Sequence, residues 1–264
     1  MPSWSTVAPI LDRLDAQGLT PVYDALPETE PVEWHALPTQ VDPTGGLMDG
    51  IRAQRKRWQV ENMIRVLRGL TRPGSVIVDF GASSGNLGLP VAACFPTCQV
   101  YIVDKKSRTV DIAKERIAGS GLKNVALYPG FVKEVTFPFD VGLGLHLCGD
   151  ATDQAQMLCI ERGAVYIMAP CCIGFIQRSA LVFPRSRAFS MVVNRTEYDW
   201  LASAADWTGR DEQGDQHRRG KRSMGYVNRD RNLAAVEHRY RVTQHTMVPS
   251  DASPKNEIIV GTPS

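Results

Sequence analysis

Apolar and polar positions along the chain change period several times. The run IRAQRKRWQVENMIRVLRGL, residues 51–70, places Val60, Met63, Ile64, Leu67 and Leu70 at helical spacing behind Asp49 as an N-cap. That predicts a helix docked on a core, with Arg55, Lys56 and Arg57 in water. After Arg72-Pro73-Gly74 the pattern becomes short β-branched runs alternating with helical stretches. Strands are predicted over residues 75–80, 99–103, 124–128, 141–145 and 164–169. Helices are predicted over 85–94, 107–120 and 150–162, and again over 197–207 and 222–238. Residues 240–247 and 257–261 read as two final strands separated by PSDASP.

Strands alternating with helices imply right-handed crossovers and a parallel sheet covered on both faces. The expected fold is therefore a Rossmann-like, doubly wound α/β sheet of seven strands, mostly parallel, closed by a C-terminal antiparallel hairpin. Residues 1–48 carry seven prolines and no sustained period, apart from a short amphipathic stretch near Val7 to Leu14. They read as an acidic arm or capping segment, with the main domain spanning 49–264.

Charge sharpens this division. The net charge is +2, yet residues 1–50 hold one basic and eight acidic residues, a net of −7. Residues 51–72 sum to +6 and residues 178–245 to +5. Local fields of this kind act on partners, whereas total charge mostly sets solubility. No apolar run reaches the roughly 18 residues of a membrane span, and the N-terminus lacks a basic start with a long apolar core. Six sparse cysteines suit reduced thiols. A soluble, cytoplasmic or nuclear protein is expected.

The chemistry concentrates at strand ends. VIVDFGASSGNLG closes a buried strand with Asp79 and turns through Gly81 and Gly85 into a helix. Ligands of open parallel sheets sit at such turns. The dinucleotide fingerprint G-x-G-x-x-G fails here, because Ser83 and Asn86 occupy its second and third positions. Asp79 suits a cationic ligand better than a phosphate. Asp104 ends YIVD about 20 residues further on, where a carboxylate can accept ribose hydroxyls.

The pattern Asp79-x-Gly81-x-Ser83-x-Gly85 resembles the cofactor loop of class I S-adenosylmethionine-dependent methyltransferases, with serine in place of the middle glycine. GLHLCGDATD, PCCIGFIQ, FPRS and SPKNEIIVGTP are similar to one branch of that family. The branch includes the methyltransferase domain of glutathione S-transferase C-terminal domain-containing proteins and, more distantly, acceptor-stem tRNA 2′-O-methyltransferases. The resemblance implies S-adenosylmethionine as cofactor. It implies that Asp79, Gly81, Ser83 and Gly85 line its methionine end, that Asp104 holds its ribose and that Gly130 and Phe131 flank the adenine, with Asn86, Lys105 and His146 also in the cofactor site. His146 and Asp150 would face the transferred methyl, with His146 as proton acceptor and Asp150 or Asp153 orienting it.

Two further readings rest on the thiols. Cys171 could act as a thiolate nucleophile. Cys148, Cys171, Cys172 and His146 could converge on zinc, but the C-x₂-C spacing of a structural site is missing, so no metal is expected. Arg52, Arg55, Lys56 and Arg57, with Arg218, Arg219, Lys221 and Arg222, form two basic clusters that suit RNA, tRNA in particular. A protein or small-molecule acceptor, or a binding module without catalysis, stays open.

Overall fold

A computed structural model describes residues 2–207 and 214–264. Seven strands form one sheet in the order β3-β2-β1-β4-β5-β7-β6. The strands are β1 (Val76–Phe80), β2 (Gln99–Asp104), β3 (Val125–Pro129), β4 (Val141–Cys148), β5 (Val165–Cys171), β6 (Tyr240–Thr246) and β7 (Glu257–Pro263). β1 to β5 pair in parallel, whereas β7 inserts antiparallel between β5 and β6. Side chains alternate between the two faces, as strand geometry requires. Ile77, Leu143, Ile167 and Ile258 join a core under α2 (Gly50–Arg68), α3 (Gly88–Cys94) and α4 (Ser107–Ser120). Val78, Met168 and Ile259 join the opposite core, under α5 (Ala151–Arg162) and the end of α8 (Asp215–Glu237).

Two elements run three or more residues beyond their expected limits. β4 continues three residues past Leu145, because its glycines and His146 interrupt the apolar alternation that marks a strand. α8 starts at Asp215 rather than Arg222. Its first turns are strongly polar and carry Gly220, where an added Cβ would stand 2.6 Å from the Trp207 carbonyl oxygen. That close approach needs glycine, although glycine argues against a helix in sequence.

The first 48 residues hold more structure than the short amphipathic stretch suggested. Residues Trp4–Ala16 form α1, which buries Val7, Ile10, Leu11 and Leu14. These pack with α6 (Arg187–Ser190), α7 (Arg195–Ala204), the front of α8 and the 3₁₀ segment Ile173–Arg178 in a third core. Further on, Asp24 N donates to Gln244 O on β6 at 2.7 Å, and the Asp42 carboxylate pairs with Arg57 at 2.7 Å. One residue later, Pro43 lines the cleft described below.

α1 therefore carries a testable energetic weight. Leu11 is fully buried, so Leu11→Ala should cost about 2–5 kcal/mol, read as a lower urea midpoint. A loss below about 1 kcal/mol would mark α1 as a detachable cap.

Candidate active site

The carboxyl ends of β1, β2, β3 and β4 open onto two adjoining cavities of about 340 and 540 Å³ that share Gly81, Asp104, Lys106 and His146. Together they fall in the size range of cofactor sites. Their floor is the turn after β1. Gly81 is left-handed, with φ of 63°, and a Cβ there would meet Leu147 on β4, so only glycine fits. Ser83 is also left-handed, at 53°, and Gly85 at 81°. A serine bears a strain there that glycine would not. Its N–H donates to Asp104 Oδ2 at 2.8 Å, which fixes the turn against β2.

Asp104 also accepts from Lys106 N at 2.9 Å and from Thr109 Oγ1 at 3.0 Å. With three donors on a carboxylate that offers about four lone-pair sites, one position remains for a ligand hydroxyl. Beyond it, Gly130 and Phe131 line the larger cavity. Phe131 is 47% exposed, a flat apolar face next to Lys105, whose Nζ lies 4.7 Å from the ring centroid. Asn86 lines the smaller cavity and accepts from Arg116 Nη1 at 2.8 Å. A hydroxyl acceptor, an aromatic face and a close-fitting glycine turn on one cleft suit a nucleoside with a charged tail.

His146 stands where β4 breaks register with β5. Leu145 pairs with Ala169 and Leu147 with Pro170, which leaves His146 as the extra residue of a bulge, with φ of 59°. The looped-out imidazole lines both cavities. Its Nε2 lies 2.7 Å from Gln59 Oε1 on α2, while Gln59 Nε2 donates to the Ala252 carbonyl at 2.6 Å. A carbonyl only accepts, so the amide must present its oxygen to the ring. His146 Nε2 therefore carries the hydrogen, and Nδ1 keeps the lone pair. Burial, with Lys56 nearby, holds the imidazole below its ordinary pKa.

Several expected roles shift. Neither aspartate orients His146. Asp150 lines the larger cavity but accepts from Ser179 Oγ at 2.6 Å, and Asp153 is fully buried against Arg231 at 2.8 Å. Gln59, absent from the sequence expectation, takes that position. Its signal is modest: Lys56, Gln59 and Val60 sit three and four residues apart, on the face of α2 that docks. Lys56 is not in open water but lines the smaller cavity, where burial and Arg116 push its pKa down. The Cys171 thiol is buried, and its hydrogen bond with Cys148, at 3.2 Å between sulfurs, pushes its pKa up. The same contact pulls the exposed Cys148 down, which makes it the more acidic thiol of the pair.

Asp79 is buried with its Oδ2 accepting from Gly88 N at 2.8 Å, and burial pushes its pKa up to about 8. The fold thus holds this proton more tightly than the unfolded chain does. The stability it contributes is complete below about pH 4 and is lost as pH rises through 8. Asp79→Asn should remove that slope and raise stability at pH 8 by up to a few kcal/mol, measured by urea unfolding between pH 5 and 9. An unchanged slope would place the titrating group elsewhere.

Residues 55–179 match a family described as a methyltransferase domain. The chain is 35% identical over 257 residues to the glutathione S-transferase C-terminal domain-containing protein of Xenopus laevis, covering 97% of this chain and 42% of that protein. It is 30% identical over 240 residues to the Drosophila melanogaster homolog, covering 87% and 40%. The chain thus spans about two-fifths of the length of these relatives. A 65-residue stretch is 31% identical to ribosomal RNA small subunit methyltransferase G of Cytophaga hutchinsonii, covering 25% of this chain and 31% of that one. Among solved structures, magnesium protoporphyrin IX methyltransferase from Synechocystis with bound SAH shares the fold. Its TM-score is 0.51 at 12% identity, over 84% of this chain and 91% of that one. Among the described residues, no helix is long and apolar enough to cross a membrane. The methyltransferase domain matched over residues 55–179 contains all the strand ends that form the cleft, its fold is that of class I S-adenosylmethionine-dependent methyltransferases, and S-adenosylmethionine is the cofactor the cleft fits.

Proposed function

We propose that this chain transfers the methyl group of S-adenosylmethionine to RNA, with tRNA the favoured acceptor. The observation that carries this reading is the continuity of basic surface with the cleft. Lys56 lines the cavity beside His146, and Arg52 and Arg55 continue along the same helix toward its start. Arg55 reaches Asp251 on the loop between β6 and β7 at 3.6 Å. On the other side of that loop, Arg218 and Lys221 of α8 bound a cavity with the same Asp251. The two blocks that are distant in sequence thus flank one loop beside the cleft. Arg57 and Arg222 contribute less, since Asp42 and Asp15 pair with them at 2.7 and 2.9 Å. Arg218 and Arg219 also pair with Asp215 of their own helix, Arg219 at 3.9 Å. Six free cysteines suit a reducing compartment, cytoplasm or nucleus.

S-adenosylmethionine supplies an electrophilic methyl carried on a positively charged sulfur. The chain's residues bind and orient it. Asp104 accepts a ribose hydroxyl, Gly130 and Phe131 flank the adenine, and the Gly81 to Gly85 turn with Asn86 receives the methionine end. Asp79 faces the charged tail. At the acceptor side, His146 Nδ1 takes the proton from a hydroxyl or amine as it is methylated, while Gln59 holds the ring in the tautomer that leaves Nδ1 basic. The left-handed backbone of the bulge aims the ring at the shared part of the cleft.

Incubation with tritiated S-adenosylmethionine and fractionated cellular RNA and protein should place the label in small RNA. His146→Ala should slow transfer about 100-fold with cofactor affinity retained, and Gln59→Met should slow it less. Label in protein alone, or full activity in His146→Ala, would sink the reading. A second measurement concerns docking. The double variant Arg52→Ala, Arg55→Ala should weaken tRNA binding and reduce the slope of log K against log salt by about 2, whereas an unchanged slope would place the RNA elsewhere.

A further inference from the structure

Cys148, Cys171 and Cys172 take no part in the reading above. Cys148 ends β4, Cys171 ends β5 as its register partner, and Cys172 follows. Their three sulfurs lie within 4.8 Å of one another, with Cys148 and Cys171 at 3.2 Å. Three thiolates on one tetrahedral zinc, at Zn–S of about 2.3 Å, stand about 3.8 Å apart. One pair at 3.2 Å and none beyond 4.8 Å leaves that value within reach of small side-chain adjustments.

Consecutive residues of a strand point to opposite faces, so Cys171 and Cys172 would diverge if β5 simply continued. The chain instead turns left-handed at Cys172, with φ of 46°, which returns its sulfur to the others. A non-glycine residue in that conformation is strained, and strain of this kind concentrates at functional sites. The turn is held from outside by Asp206, whose carboxylate accepts from Ile173 N at 3.0 Å and Gly174 N at 2.8 Å and pairs with Lys255 Nζ at 2.7 Å. The trio is therefore positioned by its supports, in the manner of an outer shell around metal ligands.

Cys148 is exposed and lines the larger cavity, whereas Cys171 is buried. An ion on the three sulfurs would stand in the cleft wall with a coordination position left over. We propose that Cys148, Cys171 and Cys172 form a three-thiolate Zn²⁺ site whose fourth position opens to the cleft, available to water or to an atom of the acceptor. The ligands come from two neighbouring strand ends and a bend, which is why the C-x₂-C spacing of a structural zinc is absent. Thiolates are the soft ligands zinc accepts, and loading releases their protons.

The test uses the full chain, reduced and stripped of metal, titrated with Zn²⁺ against a chromophoric chelator and separately with Co²⁺. One zinc per chain is expected, together with a thiolate-to-cobalt charge-transfer band. Cys148→Ser and Cys172→Ser should each weaken zinc binding about 10-fold or more, and Cys94→Ser should leave it unchanged. X-ray absorption of the zinc-loaded wild-type chain should show three sulfurs at about 2.3 Å. Zinc well below one per chain, a shell of nitrogen and oxygen only, or binding that survives both serine variants would overturn the site. The readout is metal binding, so it stands apart from the identity of the methyl acceptor.

Discussion

Pro170 has no N–H to offer, and it sits at the break in the β4–β5 ladder on which the cleft depends. Proline inside a sheet belongs where the ladder is already interrupted. Here β4 is interrupted opposite it, because His146 loops out between the pairs Leu145 with Ala169 and Leu147 with Pro170. The bulge turns an imidazole out of the strand and into the cavity. It also sets Leu147 against Gly81, so that the turn after β1 is shaped by a side chain of β4. The carbonyl of Leu147 is then held by Thr152 Oγ1 at 2.6 Å, at the start of α5. One break in pairing thus couples the cofactor turn, the acceptor side and the helix that follows.

Around this break the protein spends its polar residues on fixing geometry. Arg231 of α8 lies fully buried, with two nitrogens on the Asp153 carboxylate at 3.0 and 2.8 Å and another contact to Asn228 Oδ1. A buried pair of this kind adds little net stability over apolar packing, but losing one partner leaves a stranded charge. Asp230, its neighbour, accepts from Arg185 N, Ser186 N, Ser186 Oγ and Tyr198 OH. Glu257 accepts from Tyr23, Asn228 and Gln244. The Thr-Asp, FPRS and KNE segments are therefore mostly braces. They tie α5, α8 and the final hairpin into one frame behind the strand ends.

That division explains what could be read from the sequence. Strand and helix alternation, the glycine turn and Asp104 were legible because each is a local pattern: a period, a left-handed turn, a carboxylate at a strand end. The hairpin was legible in pairing, although its insertion of β7 beside β5 is a matter of topology that no local pattern encodes. The orienting partner of His146 was misread for a similar reason. Asp150 and Asp153 are close in sequence, whereas Gln59 arrives from a helix 87 residues away, steered by the Ala252 carbonyl of the loop between β6 and β7. Convergence of the three thiols was legible from their neighbouring strand ends, but spacing rules that assume ligands on one continuous segment argued against a metal there.

Charge follows the same logic. Summed along the chain, an acidic start and two basic blocks nearly cancel, which suggests a loose acidic arm over basic surface. In three dimensions the acids are spent one at a time: Asp42 on Arg57, and Asp15 on Arg222. What they neutralise is the part of each block that packs against the N-terminal segment. The residues on the cleft side keep a different environment. Lys56 is pressed toward its neutral form by burial and by Arg116, in a cavity that also holds Asp79 and Asp104. A cationic cofactor entering beside those carboxylates would relieve their mutual repulsion and favour ionised Asp79, so cofactor binding and the charge of the cleft wall are one equilibrium.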